Sequence, residues 1–200
     1  DLTKLDTAAA CAEKFASLAE HAFRVAKAAR SQAVDRSGQA VHLSDLVPRQ
    51  EQIAIGLSYA GPKNREAAAS AATMLTTYQT KTKNHAASSK AYADIAVEYW
   101  KYTESALKKT RTSIDQMKVF FDVPDETLAA ITRAHIAAGN ALVAKNTAVN
   151  AAARANNLEG QGGRCISIQD EVIPKRSFFC GGNKKKVPVC VFSSQLCYIL

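Results

Sequence analysis

All 37 alanines of this chain lie between Ala8 and Ala155, while four of its five cysteines (Cys165, Cys180, Cys190, Cys197) lie in the last 36 residues. Alanine buries little area per side chain, so an alanine-rich core gains enough contact only if helices approach closely and run long. The pattern therefore predicts a mainly α fold: an elongated antiparallel three-helix bundle over residues 1–159. A small, disulfide-stapled, β-like tail over residues 160–200 would pack on that bundle. Hydrophobic residues make up 47% of the chain and charged residues 22%, which is the balance of a folded protein.

Apolar spacing gives the expected helices. Ala8, Cys11, Phe15, Leu18, Ala22, Val25 and Ala29 recur at alternating steps of three and four, which predicts a first helix over residues 3–34 with these side chains inward. From 36 to 50 the pattern breaks around Gly38, Asp45 and Pro48, and the segment reads as a long loop whose Val41, Leu43, Leu46 and Val47 fold back on the helix ends. Ile53, Ile55 and Leu57 read as a short helix or an extended cap, and Tyr59-Ala60-Gly61-Pro62 as a turn.

The main helix is expected over 62–121. Ala68, Ala71, Leu75, Tyr78, Thr82, His85, Ser89, Tyr92, Ala96, Tyr99, Thr103, Ala106, Thr110, Ser113, Met117 and Phe120 keep the three-four rhythm, flanked by Ala93, Trp100, Leu107, Ile114 and Phe121 every seven residues. Both stripes turn polar between Thr82 and Lys90, where the helix either continues or breaks. Asp122-Val123-Pro124-Asp125-Glu126 restarts a third helix that ends near Asn157, with Leu128, Ile131, His135, Ala138, Leu142, Val149 and Ala152 inward. By length, the third helix folds back on the second half of the main one, and the tail then starts beside its polar middle, within reach of Cys11.

After Gly160-Gln161-Gly162-Gly163 the period changes. Residues 165–168, 187–192 and 196–200 alternate or favour β-branched and aromatic side chains and read as short strands, too few to stand unaided. The five cysteines lack any C-x-x-C and the tail holds no histidine, so disulfides in an oxidising compartment are the expectation, and structural zinc is not. An odd count leaves at least one cysteine without a partner within the chain. Cys11 is either a small buried thiol or a disulfide partner for Cys165, Cys180, Cys190 or Cys197.

No catalytic constellation emerges. His21, His42, His85 and His135 are scattered, without H-E-x-x-H, although His85 and His135 fall on expected inward stripes and read as interior histidines, bonded to each other or to Ser and Thr neighbours. There is no G-x-S-x-G, the 160–163 glycines come after a helix where a phosphate cradle would precede one, and no Glu/His spacing suits a di-iron bundle. No enzyme, metal or cofactor is expected. The net charge of +8 is spread unevenly: six basic and two acidic residues give the tail +4 in 41 positions, as much as the other 159 residues carry together. Lys184, Lys185 and Lys186, with Lys175, Arg176 and Arg164, form either a solvated loop or a contact for a polyanion. Lys108, Lys109 and Arg111 make a smaller basic patch. Tyr92, Tyr99, Trp100 and Tyr102 cluster within three turns, as core or as recognition aromatics. The chain has no apolar run of 18 residues that would span a membrane.

Alanine-dense heptads such as Ala8-Ala9-Ala10-Cys11 and Ala151-Ala152-Ala153, one early cysteine and a small cysteine-bearing element resemble the lipid-anchored surface proteins of African trypanosomes. That family comprises alanine-rich coat proteins of insect stages and slim three-helix receptors for host serum proteins, such as the haptoglobin–haemoglobin and factor H receptors. The resemblance covers residues 1–158 as a style of sequence, and the strand-like tail departs from it. It implies a removed signal peptide, a GPI anchor beyond Leu200, an extracellular cell-surface location, and a host serum protein as partner, with no nucleic acid and no membrane contact except through the anchor. The function expected is a receptor ectodomain binding a host serum macromolecule, a complement regulator such as factor H or another serum glycoprotein. The alternatives are a structural surface coat without a specific ligand and a basic polyanion-binding module.

Overall fold

The computed structural model describes residues 2–119 and 122–159. Three helices account for nearly all of them: α1 (Leu2–Tyr59), α2 (Arg65–Lys118), preceded by a 3-10 turn at Pro62–Asn64, and α3 (Asp125–Glu159). The described residues include no strand. The expected strands of the tail and its four cysteines lie outside the described residues.

The helices contribute to two compact units. Among the described residues, the first joins α1 up to Asp35 with Ser89–Ala152, and the second joins Arg36–Ser88 with the end of α3 from Ala153. In the first unit Ala16 and Ala19 of α1 pack with Ala106 and Leu107 of α2 and with Ala130, Ala134, Ala137 and Ala138 of α3. Ala26 meets Ala141 and Ala144, with Phe23, Tyr99 and Trp100 against them. Ala29 and Ala33 meet Ala93, Ala96, Ala148 and Ala152. As numbers rise along α1 they rise along α3 and fall along α2, so α2 is antiparallel to both neighbours. In the second unit Val47 and Ala54 pack on Ala71, Ala72 and Leu75, and Ala40 meets Ala86 and Ala155.

The seam is alanine itself. Ala12, Ala19, Ala26, Ala33, Ala40, Val47 and Ala54 repeat every seven residues and are all buried. On α3 the buried column is Thr127, Ala134, Ala141, Ala148 and Ala155. This corrects the expected inward faces. Leu18 is 47% exposed, Leu128, Leu142 and Val149 are exposed, and Cys11, Phe15, Val25 and Ile131 are only half-buried. The reason is steric: a methyl group lets neighbouring axes approach toward the ~8 Å limit of helix packing, and a leucine between them would force them apart. Larger side chains therefore sit at the flanks of the contact.

α1 also corrects the expected loop at 36–50, because the helix runs through Gly38 and Pro48. Pro48 lacks the N–H that would reach the Ser44 carbonyl, but its ring lies on the exposed face while Val47 beside it is buried. The burial of Ala40, Val47 and Ala54 on the neighbouring, inward face offsets the lost bond. α2 matches its expected seam closely and is unbroken through Thr82–Lys90. Its buried hydroxyls bond within the helix: Thr82 donates to the Tyr78 carbonyl at 2.9 Å, Thr103 to Trp100 at 2.6 Å and Thr110 to Ala106 at 2.9 Å. Their methyl groups are thereby left to pack. Ser89 instead crosses to α1 and donates to the Ala33 carbonyl at 2.8 Å, which only a close approach of the two backbones permits.

The turns obey their residues. Gly61 takes φ 95°, a left-handed conformation that glycine adopts without strain, and Pro62 opens the next turn. At the start of α3 the Pro124 carbonyl accepts bonds from the Thr127 and Leu128 amides, and Asp125 and Glu126 face the positive end of the helix dipole.

An alanine seam reverses the usual effect of size. Ala134→Leu is expected to destabilise the fold by about 1–3 kcal/mol through overpacking, whereas Leu142→Ala changes stability by less than about 0.5 kcal/mol as a surface substitution; chemical denaturation of the two variants measures this. Pro48→Ala restores the missing backbone bond and should raise stability by up to about 3 kcal/mol, read as an increase in the unfolding midpoint.

Candidate recognition surface

The alanine core leaves no room for aromatic rings, and α2 carries several at its edge. Tyr92, Tyr99 and Trp100 are half-buried, and Tyr102 is 51% exposed. Tyr99 and Trp100 rest one edge on Ala26, Ala141 and Ala144, and Tyr92 rests on the Ala29–Ala148 cluster. Tyr99 and Tyr102 meet edge to face, centroids 5.4 Å apart at 87°. The Tyr102 hydroxyl donates to a Glu98 carboxylate oxygen at 2.8 Å. From α3 the Lys145 ammonium lies 4.2 Å from the centre of the Trp100 ring, a cation–π contact worth about 0.5–1 kcal/mol at an exposed site. The indole Nε1–H of Trp100 is buried and has no acceptor among the described residues.

The group is contacted from two sides, by alanines beneath and by side chains across its rim. The bond to Glu98, together with that carboxylate's negative charge, raises the Tyr102 phenol above its ordinary value of 10.0. A raised pKa means the fold favours the protonated phenol. The contact therefore contributes below pH 10.0 and is lost as pH climbs through the higher folded value.

A second polar cluster fastens α3 to α1. Arg133 donates from one guanidinium nitrogen to both oxygens of Glu13, and its Nε lies 3.8 Å from Glu20. The bond to Glu13 raises the Arg133 pKa further above its usual range, against the desolvation that lowers it. All three side chains are partly exposed, which keeps the contribution to the ~1 kcal/mol of surface ion pairs.

Cys11 is half-buried and carries no disulfide among the described residues. It lines an open groove of about 570 Å³ with Phe15, Lys109, Thr112, Ser113 and Gln116, where the Lys109 ammonium stands 5.5 Å from the Phe15 ring centre. The tail expected within reach of Cys11 lies outside the described residues. Within the first unit Ala148 and Ala152 of α3 lie beside Ala29 and Ala33, the latter about 33 Å along α1 from Cys11. His135 is exposed, contrary to its expected inward position; His21 and His42 are also exposed and His85 is half-buried. Lys108 and Arg111 are exposed on α2. The remaining residues singled out in the sequence (Lys175, Arg176, Lys184, Lys185, Lys186, Cys165, Cys180, Cys190 and Cys197) lie outside the described residues.

Among the described residues no three His, Cys, Asp or Glu side chains gather as a metal site, and no helix is long and apolar enough to cross a membrane. Compared with known proteins, the chain matches no family model, no curated protein and no solved structure.

If Glu98 sets the Tyr102 titration, a spectroscopic tyrosinate titration of the folded chain will include a phenol ionising above 10.0. Glu98→Gln should bring that phenol down toward 10.0; an unchanged curve would contradict the contact.

Proposed function

We propose that the chain is the ectodomain of a cell-surface receptor that binds a host serum macromolecule, a complement regulator such as factor H or another serum glycoprotein. The observation that carries this reading is the aromatic group of Tyr99, Trp100 and Tyr102, presented at the edge of a rigid bundle. Tyrosine and tryptophan dominate the energetics of protein interfaces, and rings already ordered in the free protein lose little entropy on binding. Glu98 and Lys145 give the rim a fixed pair of opposite charges, which suits a polar protein surface as partner. The sequence resemblance to trypanosome surface receptors supports the same partner class. It adds an extracellular location and a lipid anchor outside this sequence, while the cysteine spacing separately supports disulfide bonds in the 160–200 tail. In this reading the chain performs no chemistry of its own.

The test is capture from mammalian serum by the immobilised chain at physiological salt, with the retained protein identified by mass spectrometry. One serum protein held stoichiometrically is the expected result. Tyr102→Ala, an exposed substitution, should weaken its affinity about tenfold, in keeping with a loss of more than 1 kcal/mol at a hot spot. A blank from several host sera would instead favour a structural surface coat, and salt-sensitive retention of heparin lost on mutating Lys184–Lys186 would favour the polyanion module.

A further inference from the structure

The two halves of α1 differ in composition and in partners. Residues 2–35 hold eleven alanines and neither glycine nor proline, whereas residues 36–59 hold two alanines together with Gly38, Pro48 and Gly56. Alanine is the strongest helix former and glycine and proline the weakest, and Pro48 also leaves the Ser44 carbonyl without its helical bond. No contact calls for the glycines: both have open space where a Cβ would sit, and neither takes the left-handed conformation that favours glycine. Ser44 and Asp45, just before the proline, make side-chain bonds to backbone that compete with a helix. In the first unit Ala16, Ala19, Ala26, Ala29 and Ala33 pack on both α2 and α3. In the second unit Val47 and Ala54 pack on Ala71, Ala72 and Leu75 of α2, and the described members of that cluster include no residue of α3. Ala40 meets α3 only at Ala155 and Leu158, close to its end at Glu159. Across the α1–α2 pair the Gln50 side chain donates to the Ala71 carbonyl at 3.2 Å.

We propose that α1 from Val41 to Tyr59 is a strap that opens by itself, losing its helix and its hold on α2 while the first unit stays folded. A helix of this length containing proline does not persist in water without a packed partner. The strap is therefore helical only while Val47, Ala54 and Gln50 keep their contacts. Segments with few buried contacts and poor propensity open more readily than the fold as a whole, and the strap has both properties where the first half of α1 has neither. Its ends suit the motion. Gly38 weakens α1 just before the strap, and Gly61, at φ 95°, joins the far end to α2 without strain. Opening uncovers Ala71, Ala72 and Leu75, which are buried in the closed chain, and half-buried Tyr78 beside them. The strap is thus a conformational switch that hides or presents an apolar stripe of α2. It does not rest on the receptor reading, because Tyr99, Trp100 and Tyr102 belong to the first unit.

Hydrogen–deuterium exchange of the full chain, read by mass spectrometry of peptic fragments and corrected for intrinsic rates, tests the strap. In the wild type, amides of residues 41–59 should exchange about a hundredfold faster than amides of residues 16–33 in the same helix. Pro48→Ala, which restores the bond to the Ser44 carbonyl, should slow exchange of 41–59 about tenfold. Ala134→Leu, which overpacks only the first unit, should speed exchange of 16–33 and leave 41–59 within about twofold of its wild-type rate. A strap that opens by itself requires that independence. Equal exchange of the two fragments in the wild type would overturn the proposal, because α1 would then open as one piece. So would an equal acceleration of both fragments in Ala134→Leu, or unchanged exchange of 41–59 in Pro48→Ala. The wild-type and Pro48→Ala measurements decide the matter even if Ala134→Leu fails to fold.

Discussion

When only a methyl group stands between two helices, their backbones come close enough that nothing larger fits, and this constraint organises the helical part of the chain. Ala12, Ala19, Ala26, Ala33 and Ala40 on α1, and Ala134, Ala141, Ala148 and Ala155 on α3, occupy the seams that larger apolar residues fill in most bundles. Each methyl contributes little, at about 0.8 kcal/mol per buried carbon group, so stability accrues by repetition along helices of 58, 54 and 35 residues. Bulky side chains are displaced to the rim. The aromatic group at Trp100 and the aliphatic face of α3 are both products of that displacement.

Close packing also governs which polar groups the interior tolerates. Thr82, Thr103 and Thr110 are buried on α2, and each returns its hydroxyl proton to its own helix. In a seam of small residues a threonine so bonded behaves as one more methyl. Ser89 extends the principle by bonding to the Ala33 carbonyl, tying α2 to the α1 backbone without a long side chain.

The sequence was most legible on α2, where Leu75, Leu107, Ile114 and Met117 point inward and size agrees with burial. On α3 size misled. The expected column of Leu128, His135, Leu142 and Val149 sits one residue after the true column of Thr127, Ala134, Ala141 and Ala148, a rotation of about 100°. On α1 the same offset runs the other way, from Cys11, Leu18 and Val25 to Ala12, Ala19 and Ala26. The unbroken α1 was hidden because Gly38 and Pro48 are local stop signals, and only tertiary burial of Ala40, Val47 and Ala54 overrides them. At the candidate recognition surface the aromatic residues were visible in the sequence. Their partner Lys145 was not, since its meeting with Trp100 depends on the register between two helices.

The central claim is that alanines face inward while the large aliphatic residues of α3 face out. Methyl NOE spectroscopy on dilute protein, with alanine, leucine and valine methyls labelled, addresses it most directly. The alanine seam predicts cross-peaks joining Ala19 to Ala134, Ala26 to Ala141 and Ala33 to Ala148, with the Leu142 and Val149 methyls broadened by a soluble paramagnetic agent. Cross-peaks from Leu142 and Val149 to the alanines of α1, together with protection of those methyls from the agent, would contradict it.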